Sequence, residues 1–213
     1  NGSACDGYTV TFRFMTQIDT DEVSRVTDQQ TTTFEEGDGS SFSFVTRSFI
    51  DQEMDKDLKG TARLADGKTS VTLEKPEKKE LGLAGTQFPT QHMIELLDKA
   101  VQGDTFYETT LFDGSEDADT VMTTTVVIGK QAPASNGDRE FKAIESLTDA
   151  VFWPVDVAYF DLEDGDEVPT YRISFKLHES GVTRDLVMDY GEFTMTGELV
   201  DLSMFDAPST CSR

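Results

Sequence analysis

The sequence has few of the residues on which most enzyme chemistry depends. Its 213 residues include two cysteines, two histidines and one tryptophan. His92 and His178 do not form a His-Glu-x-x-His pattern, and the cysteines do not form a Cys-x-x-Cys pair. Neither Gly-x-Ser-x-Gly nor Gly-x-Gly-x-x-Gly occurs. These absences favour a protein without catalytic residues, metal or cofactor.

Positive charge is scarce as well. Lys and Arg number 18 against 41 Asp and Glu, which gives a net charge of -23. A surface this acidic repels nucleic acid and anionic lipid head groups, so nucleic acid is excluded as a partner. We interpret the excess of carboxylates as an aid to solubility or an adaptation to a salty environment.

Long apolar runs are missing too. A membrane-spanning helix needs about 18 apolar residues in succession. The longest apolar patch, Val151 to Phe160, is interrupted by Pro154 and Asp156. The chain is therefore predicted not to span a membrane. Because it starts at Asn1 rather than Met, we expect a processed or trimmed chain from which a signal peptide would already be gone.

The two cysteines lie near the two ends of the chain, at Cys5 and Cys211. They are either two buried thiols or one disulfide that closes a loop around almost the whole chain. A disulfide would imply an oxidising compartment. The residues themselves leave both alternatives open.

Most of the chain alternates between apolar and polar residues, as half-buried antiparallel strands do. Tyr8, Val10, Phe12 and Phe14 share one face of the first strand. Similar strands separated by Gly-, Asp- and Pro-rich turns follow to the end. We predict an all-β fold, an antiparallel meander that must curl or close to hide its apolar face. The whole chain, 1–213, is predicted to be a single domain.

One amphipathic helix interrupts the strands, around 89–102. Its apolar residues recur every three or four positions, from Met93 to Val101. Pro89 suits the first helical position and Gly103 suits the residue after the last. The single apolar stripe predicts that this helix packs on a sheet.

Three positions are candidates for a functional site, and each also has an ordinary structural interpretation. His178 shares a strand face with polar residues and is predicted to lie exposed at a turn. His92, in the first helical turn beside the apolar stripe, is predicted to have a packing or helix-end role. Trp153 and Pro154 form the most unusual pair: either an aromatic wall of a ligand or partner surface, or a core tryptophan beside an edge proline.

Other local patterns are weaker. The acidic turns at 113–119 and 161–167 could attract calcium, but neither has the spacing of an EF-hand loop, so solvated turns are favoured. Gly67-Lys-Thr69 resembles the end of a phosphate-binding loop, although it lies between strands and predicts a hairpin turn.

Seven stretches in order resemble the EipB family of cell envelope integrity proteins. They are Cys5-Asp-Gly-Tyr8, Phe88-Pro-Thr90, Phe112-Asp-Gly114, Phe152-Trp-Pro-Val155, Glu179-Ser-Gly-Val-Thr-Arg-Asp185, Asp189-Tyr-Gly191 and Cys211. The resemblance implies a single long, strongly bent antiparallel sheet, a β-spiral, with a disulfide between Cys5 and Cys211. It also implies a periplasmic protein whose signal peptide has been removed.

The resemblance further implies a non-enzymatic role in envelope integrity and cell division, linked to a periplasmic tetratricopeptide-repeat protein. Family members carry a strand-bearing segment before the first cysteine, whereas this sequence has four residues there. A chain without that segment would have an open edge at the strand from Tyr8 to Ile18.

The predicted function is therefore that of a monomeric, secreted, all-β envelope protein that acts through protein partners. The first alternative is a carrier or sensor of a lipid or other apolar ligand in a concave sheet. The second is a hydrolase that uses a pair of the many carboxylates.

Overall fold

The computed structural model describes residues 2–19, 23–115, 118–135, 137–147, 151–161 and 168–205. These residues fall into two compact units. Among these residues, the first unit contains the chain up to Thr90 together with Phe112–Val121, and the second contains Gln91–Leu111 and the chain from Met122 to Phe205.

The first unit contains a seven-stranded antiparallel sheet in which each strand pairs with the next one along the chain. Its strands are β1 (Gly2–Ser3), β2 (Gly7–Asp19), β3 (Ser24–Glu35), β4 (Ser41–Ile50), β5 (Glu53–Ala65), β6 (Lys68–Lys75) and β7 (Lys79–Ala84). The predicted strand from Tyr8 to Ile18 is confirmed as β2. Between Val10 and Asp19, β2 pairs only with β3 among the described residues, so this part of β2 is an edge.

Two tight turns in this sheet depend on residues with positive φ. Asp51 and Gln52 join β4 to β5, and Asp66 and Gly67 join β5 to β6. Positive φ at both central residues is the geometry that matches the right-handed twist of a β-hairpin. The Gly67-Lys-Thr69 stretch is thus part of a hairpin, as predicted, and not of a phosphate-binding loop.

The core of the first unit is built on four phenylalanines. Phe42, Phe44, Phe88 and Phe112 are all almost completely buried. Their ring centroids lie 5.3 to 6.4 Å apart in stacked and edge-to-face pairs. Phe42 and Phe44 alternate with polar residues along β4, whose apolar face therefore forms one side of this core.

The predicted helix is confirmed as α1 (Pro89–Gln102). Gly103 follows with φ of +86°, a conformation that glycine adopts without steric cost and that commonly ends a helix. At the start of the helix, the buried carboxylate of Glu35 accepts a hydrogen bond from the backbone N–H of Thr90, at 2.8 Å. A strand residue therefore provides the cap.

The second unit contains a second antiparallel sheet, in the order β14-β13-β12-β11-β9-β8, with β10 paired to β11. Its strands are β8 (Phe106–Leu111), β9 (Met122–Ile128), β10 (Ala132–Pro133), β11 (Val151–Phe160), β12 (Tyr171–Leu177), β13 (Thr183–Asp189) and β14 (Thr194–Gly197). Leu96 and Ala100 of α1 pack into the core formed by the apolar face of this sheet.

The all-β class with one inserted helix is confirmed. The strands do not form one continuous sheet, however, but two antiparallel sheets, and neither closes on itself within the described residues. Strands joined by tight turns pair readily. The helix separates β7 from β8, and β8 pairs with β9 instead.

Candidate functional site

A network of buried charges lies in the second unit, around Arg184 of β13. The Arg184 side chain is fully buried, and its Nη1 donates hydrogen bonds of 2.8 Å to Asp138 Oδ2 and to Glu140 Oε2. Its Nε donates to Nε2 of His178, also at 2.8 Å. The side chains of Asp138 and Glu140 are only 8% and 3% exposed. These bonds offset part of the cost of removing a guanidinium from water, while Arg184 Nη2 and His178 Nδ1 are buried without a hydrogen-bond partner among the described residues.

A β-bulge brings Arg184 to this position. In the pairing of β12 with β13, Ser174 lies opposite Val187, and Lys176 lies opposite Arg184. Over this interval β13 therefore contains one more residue than β12. Asp185, within the bulge, has φ of +52°. The extra residue shifts the alternation of side chains on one side of the bulge relative to the other. Arg184 consequently lies beside Lys176, on the polar face of the sheet.

Glu140 connects three parts of the second unit. Its Oε1 accepts the backbone N–H of Asp185 at 2.9 Å and that of Leu199 at 2.6 Å, while its Oε2 binds Arg184. Glu140 itself belongs to the turn-rich segment 137–147, in which the buried side chain of Ile144 also lies. One carboxylate thus holds this segment, the bulge of β13 and the chain after β14 together.

His178 is buried, with 1% of its surface exposed, so the prediction of an exposed turn histidine is wrong. Strand alternation assigned it correctly to the polar face, but segment 137–147 contributes the carboxylates that bind Arg184 and Lys176 on this face. Because Nε2 accepts a hydrogen bond from Arg184, we assign the ring proton to Nδ1.

The environment of His178 opposes its protonation. Burial lowers the pKa of the imidazole, and the positive charge of Arg184 lowers it further. The Val151 backbone and the carboxylates of Asp138 and Glu140 act in the opposite direction without reversing the shift. A neutral imidazole is therefore part of the network at neutral pH.

A cavity of about 580 Å³ lies next to this network. Its lining is mostly polar and comes from the face of β11–β14 and from the chain around segment 137–147. The residues are Pro133, Ser135, Gly137, Asp138, Arg139, Glu140, Phe152, Lys176, Asp185, Thr196, Gly197 and Glu198. Lys176 Nζ lies 3.0 Å from Asp138 Oδ2 and 2.9 Å from Asp185 Oδ2. It also lies 5.1 Å from the centroid of the Phe152 ring.

Trp153 and Pro154 lie on opposite faces of β11. Trp153 is 7% exposed and belongs to the apolar core, whereas Pro154 is exposed. Pro154 falls between the residues that pair with β10 and those that pair with β9, a position that suits a residue without an N–H. The two side chains do not share a surface. A role for them in binding stays a prediction.

His92 is buried in α1, and its Nε2 lies 3.2 Å from Oγ1 of Thr124. Thr124 in turn donates to the carbonyl of Thr109, so its hydroxyl accepts the imidazole N–H. Burial lowers the pKa of His92. The predicted packing role of this histidine is confirmed.

The remaining candidates fall partly outside the described residues. Cys5 lies in the turn between β1 and β2, but Cys211 is outside them, and the bridge stays a prediction. Residues 116–117 and 162–167 of the two acidic turns also lie outside the described residues. The described residues contain no cluster of three side chains suited to bind a metal, nor a helix with the length and apolar character of a membrane span.

The sequence did not identify Asp138, Glu140 and Arg184 as a site. A signal was nevertheless present. Arg184 is in phase with Leu186 and Met188, which alternation assigns to the apolar face. A charged residue in phase with core residues indicates either a bulge or a buried partner, and the structure has both.

The fold and the site define a class: a β-rich protein with two open antiparallel sheets, in which buried charges bind one another around a polar cavity. The comparisons with known proteins are more specific. The EipB-like family model matches residues 1–206, and this chain belongs to that family.

Two matches from Brucella abortus, one to a sequence and one to a solved structure, support this assignment. The cell envelope integrity protein EipB of strain 2308 is 56% identical over 208 residues, which cover 97% of this chain and 74% of the relative. The crystal structure of a beta-barrel-like protein of a domain of unknown function is similar with a TM-score of 0.91 and 55% identity. That match covers 97% of this chain and 85% of the other.

Proposed function

We propose that this protein is a non-enzymatic periplasmic protein that supports cell envelope integrity and cell division through protein partners. The observation that carries the proposal is the 56% identity with a cell envelope integrity protein over nearly the whole chain. The site geometry agrees with a role other than catalysis. Arg184, His178, Asp138 and Glu140 are engaged with one another, and their burial is typical of a structural network.

The partner that we propose is a periplasmic tetratricopeptide-repeat protein, with this chain as a monomer. The test is chemical cross-linking in intact cells, followed by identification of the proteins attached to this chain. A soluble periplasmic protein of similar charge and abundance is the control. Specific enrichment of a tetratricopeptide-repeat protein supports the proposal, and the same proteins on chain and control contradict it.

Absence of catalysis has its own test. A broad panel of ester and glycoside substrates should give no turnover above that of heat-denatured protein. Turnover that disappears when a carboxylate at the cavity is replaced by its amide would establish the hydrolase alternative instead.

A periplasmic location is linked to the proposed Cys5–Cys211 bridge, because disulfides persist in oxidising compartments. In the chain-entropy model a loop of this length stabilises the fold by about 5 kcal/mol. Alkylation followed by intact mass measurement should add two labels only after reduction. Two labels on the denatured protein without reductant would contradict both the bridge and the compartment.

An apolar-ligand carrier is a second candidate, because one observation favours it. Val10 and Phe12 of β2 are about half exposed, at 49% and 53%. Val10 lies opposite Thr33, which lies opposite Phe44. The exposed side chains of Val10 and Phe12 therefore lie on the same sheet face as the phenylalanine core.

Native mass spectrometry of gently purified protein tests the carrier function. A bound lipid that is lost in Phe12→Ser, but kept in Met15→Ser on the other face of β2, would favour it. Protein without lipid but with a retained protein partner favours the scaffold role.

A further inference from the structure

The cavity of the second unit combines two properties that together define a ligand class. Two carboxylates in its lining, those of Asp138 and Glu140, are buried and held in fixed positions, and the cations on its wall are paired with carboxylates. Lys176 is bound to Asp138 and Asp185, and Arg139 is bound to Glu198 at 2.9 Å.

The fixed positions follow from burial. Asp138 is held by Arg184 and Lys176, and its Oδ1 accepts the backbone N–H of Glu140 at 3.1 Å. Glu140 is held by Arg184 and two backbone N–H groups. Groups that are locked before a ligand arrives lose little entropy when it binds.

The paired charges disfavour an ionic ligand. A carboxylate or phosphate would have to draw Lys176 away from two carboxylates, and an ammonium group would have to draw Asp185 away from Lys176. The side chains of Lys176 and Asp138 are only 25% and 8% exposed, so leaving either of them without a partner is costly. A neutral ligand with hydroxyl groups can donate to the spare lone pairs of carboxylates and accept from ammonium or guanidinium N–H groups while every ion pair stays intact.

The cavity also contains an apolar surface. Phe152 is half-buried in the wall, and Pro133 lies nearby. The cavity size, about 580 Å³, falls within the range of small-molecule sites, roughly 300–1,000 Å³. A ligand with hydroxyl groups and C–H faces matches such a lining, because the hydroxyls can bind the polar side chains while the C–H faces pack on Phe152 and Pro133. We propose that this cavity binds a neutral saccharide of a few residues, a function beyond the envelope role proposed above and independent of it.

The test is NMR titration of the folded, isotope-labelled full chain with cellotriose, maltotriose and chitotriose. A zwitterionic dipeptide and glucuronate serve as charged probes. We expect saturable shifts of backbone amides around the cavity with at least one trisaccharide, and weaker effects from both charged probes.

Asp185→Asn is the informative variant, because Asn tolerates the positive φ of this position and keeps the size of the side chain. It should weaken trisaccharide binding about tenfold, because a hydrogen bond to a carboxylate becomes a weaker one to a neutral amide. It should also strengthen glucuronate, because Lys176 loses one of its carboxylates. Glu108→Gln is the matched control, because Glu108 is exposed on β8, the strand at the opposite edge of the sheet from β14. This variant should change the affinity for neither the trisaccharide nor glucuronate.

Three results would overturn the proposal. They are the absence of shifts at the cavity with all three trisaccharides, trisaccharide affinity unchanged in Asp185→Asn, and tighter binding of the dipeptide or glucuronate than of any trisaccharide to the unaltered protein. None of them bears on the envelope function, which the cross-linking experiment tests separately.

Discussion

The two units attach chain segments outside their strands to an antiparallel sheet by different physical means. In the first unit, Phe88 and Phe112 lie outside the sheet and pack on Phe42 and Phe44 of β4. In the second unit, segment 137–147 is held by the carboxylates of Asp138 and Glu140, which bind Arg184 on β13.

This difference has consequences for tolerance to change. The hydrophobic stabilisation of the phenylalanine core is non-directional, and it declines gradually as buried volume is removed. A buried ion network depends on direction, on every partner and on the protonation state, so that removing one member leaves other charges uncompensated. We therefore expect the second unit to be more sensitive to single substitutions at its network and to acid. Four predictions test the comparison, from the largest effect to the smallest.

Arg184→Met should have the largest effect. It leaves Asp138 and Glu140 buried without their main cation, and loss of one partner of a buried pair typically costs about 3–5 kcal/mol. Urea unfolding should show this decrease in the free energy of unfolding. Hydrogen exchange should show faster exchange of the Asp185 and Leu199 amides, which Glu140 holds. A decrease below ~1 kcal/mol would show that the network contributes little to stability.

Phe112→Leu should have a smaller effect in the first unit. Leucine keeps most of the buried apolar volume, so we expect a loss of about 1–2 kcal/mol from the missing ring area. The loss should be the same at pH 7 and pH 5, because no titratable group is involved. A larger loss than that of Arg184→Met, measured in the same denaturant series, would reverse the comparison.

Acid should act on the second unit through His178. The unfolded pKa is about 6.5, and the folded pKa is lowered by burial and by Arg184. Below pH 6.5 the unfolded chain therefore binds a proton that the folded chain resists, and stability falls as the pH decreases toward the folded pKa.

His178→Gln is designed to reduce this pH dependence. Glutamine keeps an oxygen that can accept the hydrogen bond from Arg184, but it does not titrate. The slope of unfolding free energy against pH between 6.5 and 5 should become shallower. The slope should not fall to zero, because burial also lowers the pKa of His92, which titrates in the same pH range when the chain is unfolded. An unchanged slope would mean that His178 does not resist protonation in the folded protein.

Arg172→Met should have the smallest effect. Arg172 lies on the same sheet face as Arg184, where it donates to Asp156 at 2.9 Å, but its side chain is 52% exposed. Exposed pairs contribute about 0–1 kcal/mol and are weakened by salt. Urea unfolding at low and high salt should separate the two arginines, and an effect comparable with that of Arg184→Met would show that burial does not distinguish them.

Much of the fold was predictable because it depends on local periodicity. The apolar stripe from Met93 to Val101 defines α1, Gly103 ends it, and alternation defines β2. These patterns concern neighbours within a few positions. They do not say which strands pair at a distance, and for that reason the division into two sheets at α1 was missed.

The candidate site was not predictable in the same way. Asp138 and Glu140 are 46 and 44 residues away from Arg184 along the chain. In a sequence with 41 acidic residues, no local signal distinguishes two buried carboxylates from the many solvated ones. His178 shows the limit most directly, since alternation identified its face but not the segment that covers it.

The sequence by itself determined the β-rich class, the helix α1, several of the turns and the family, because these depend on residue type and short-range spacing. Only the tertiary structure decided which charges are buried, where the bulge of β13 directs Arg184, and where the polar cavity lies. Burial and ion pairing depend on distances between remote parts of the chain, and those distances exist only once the chain has folded.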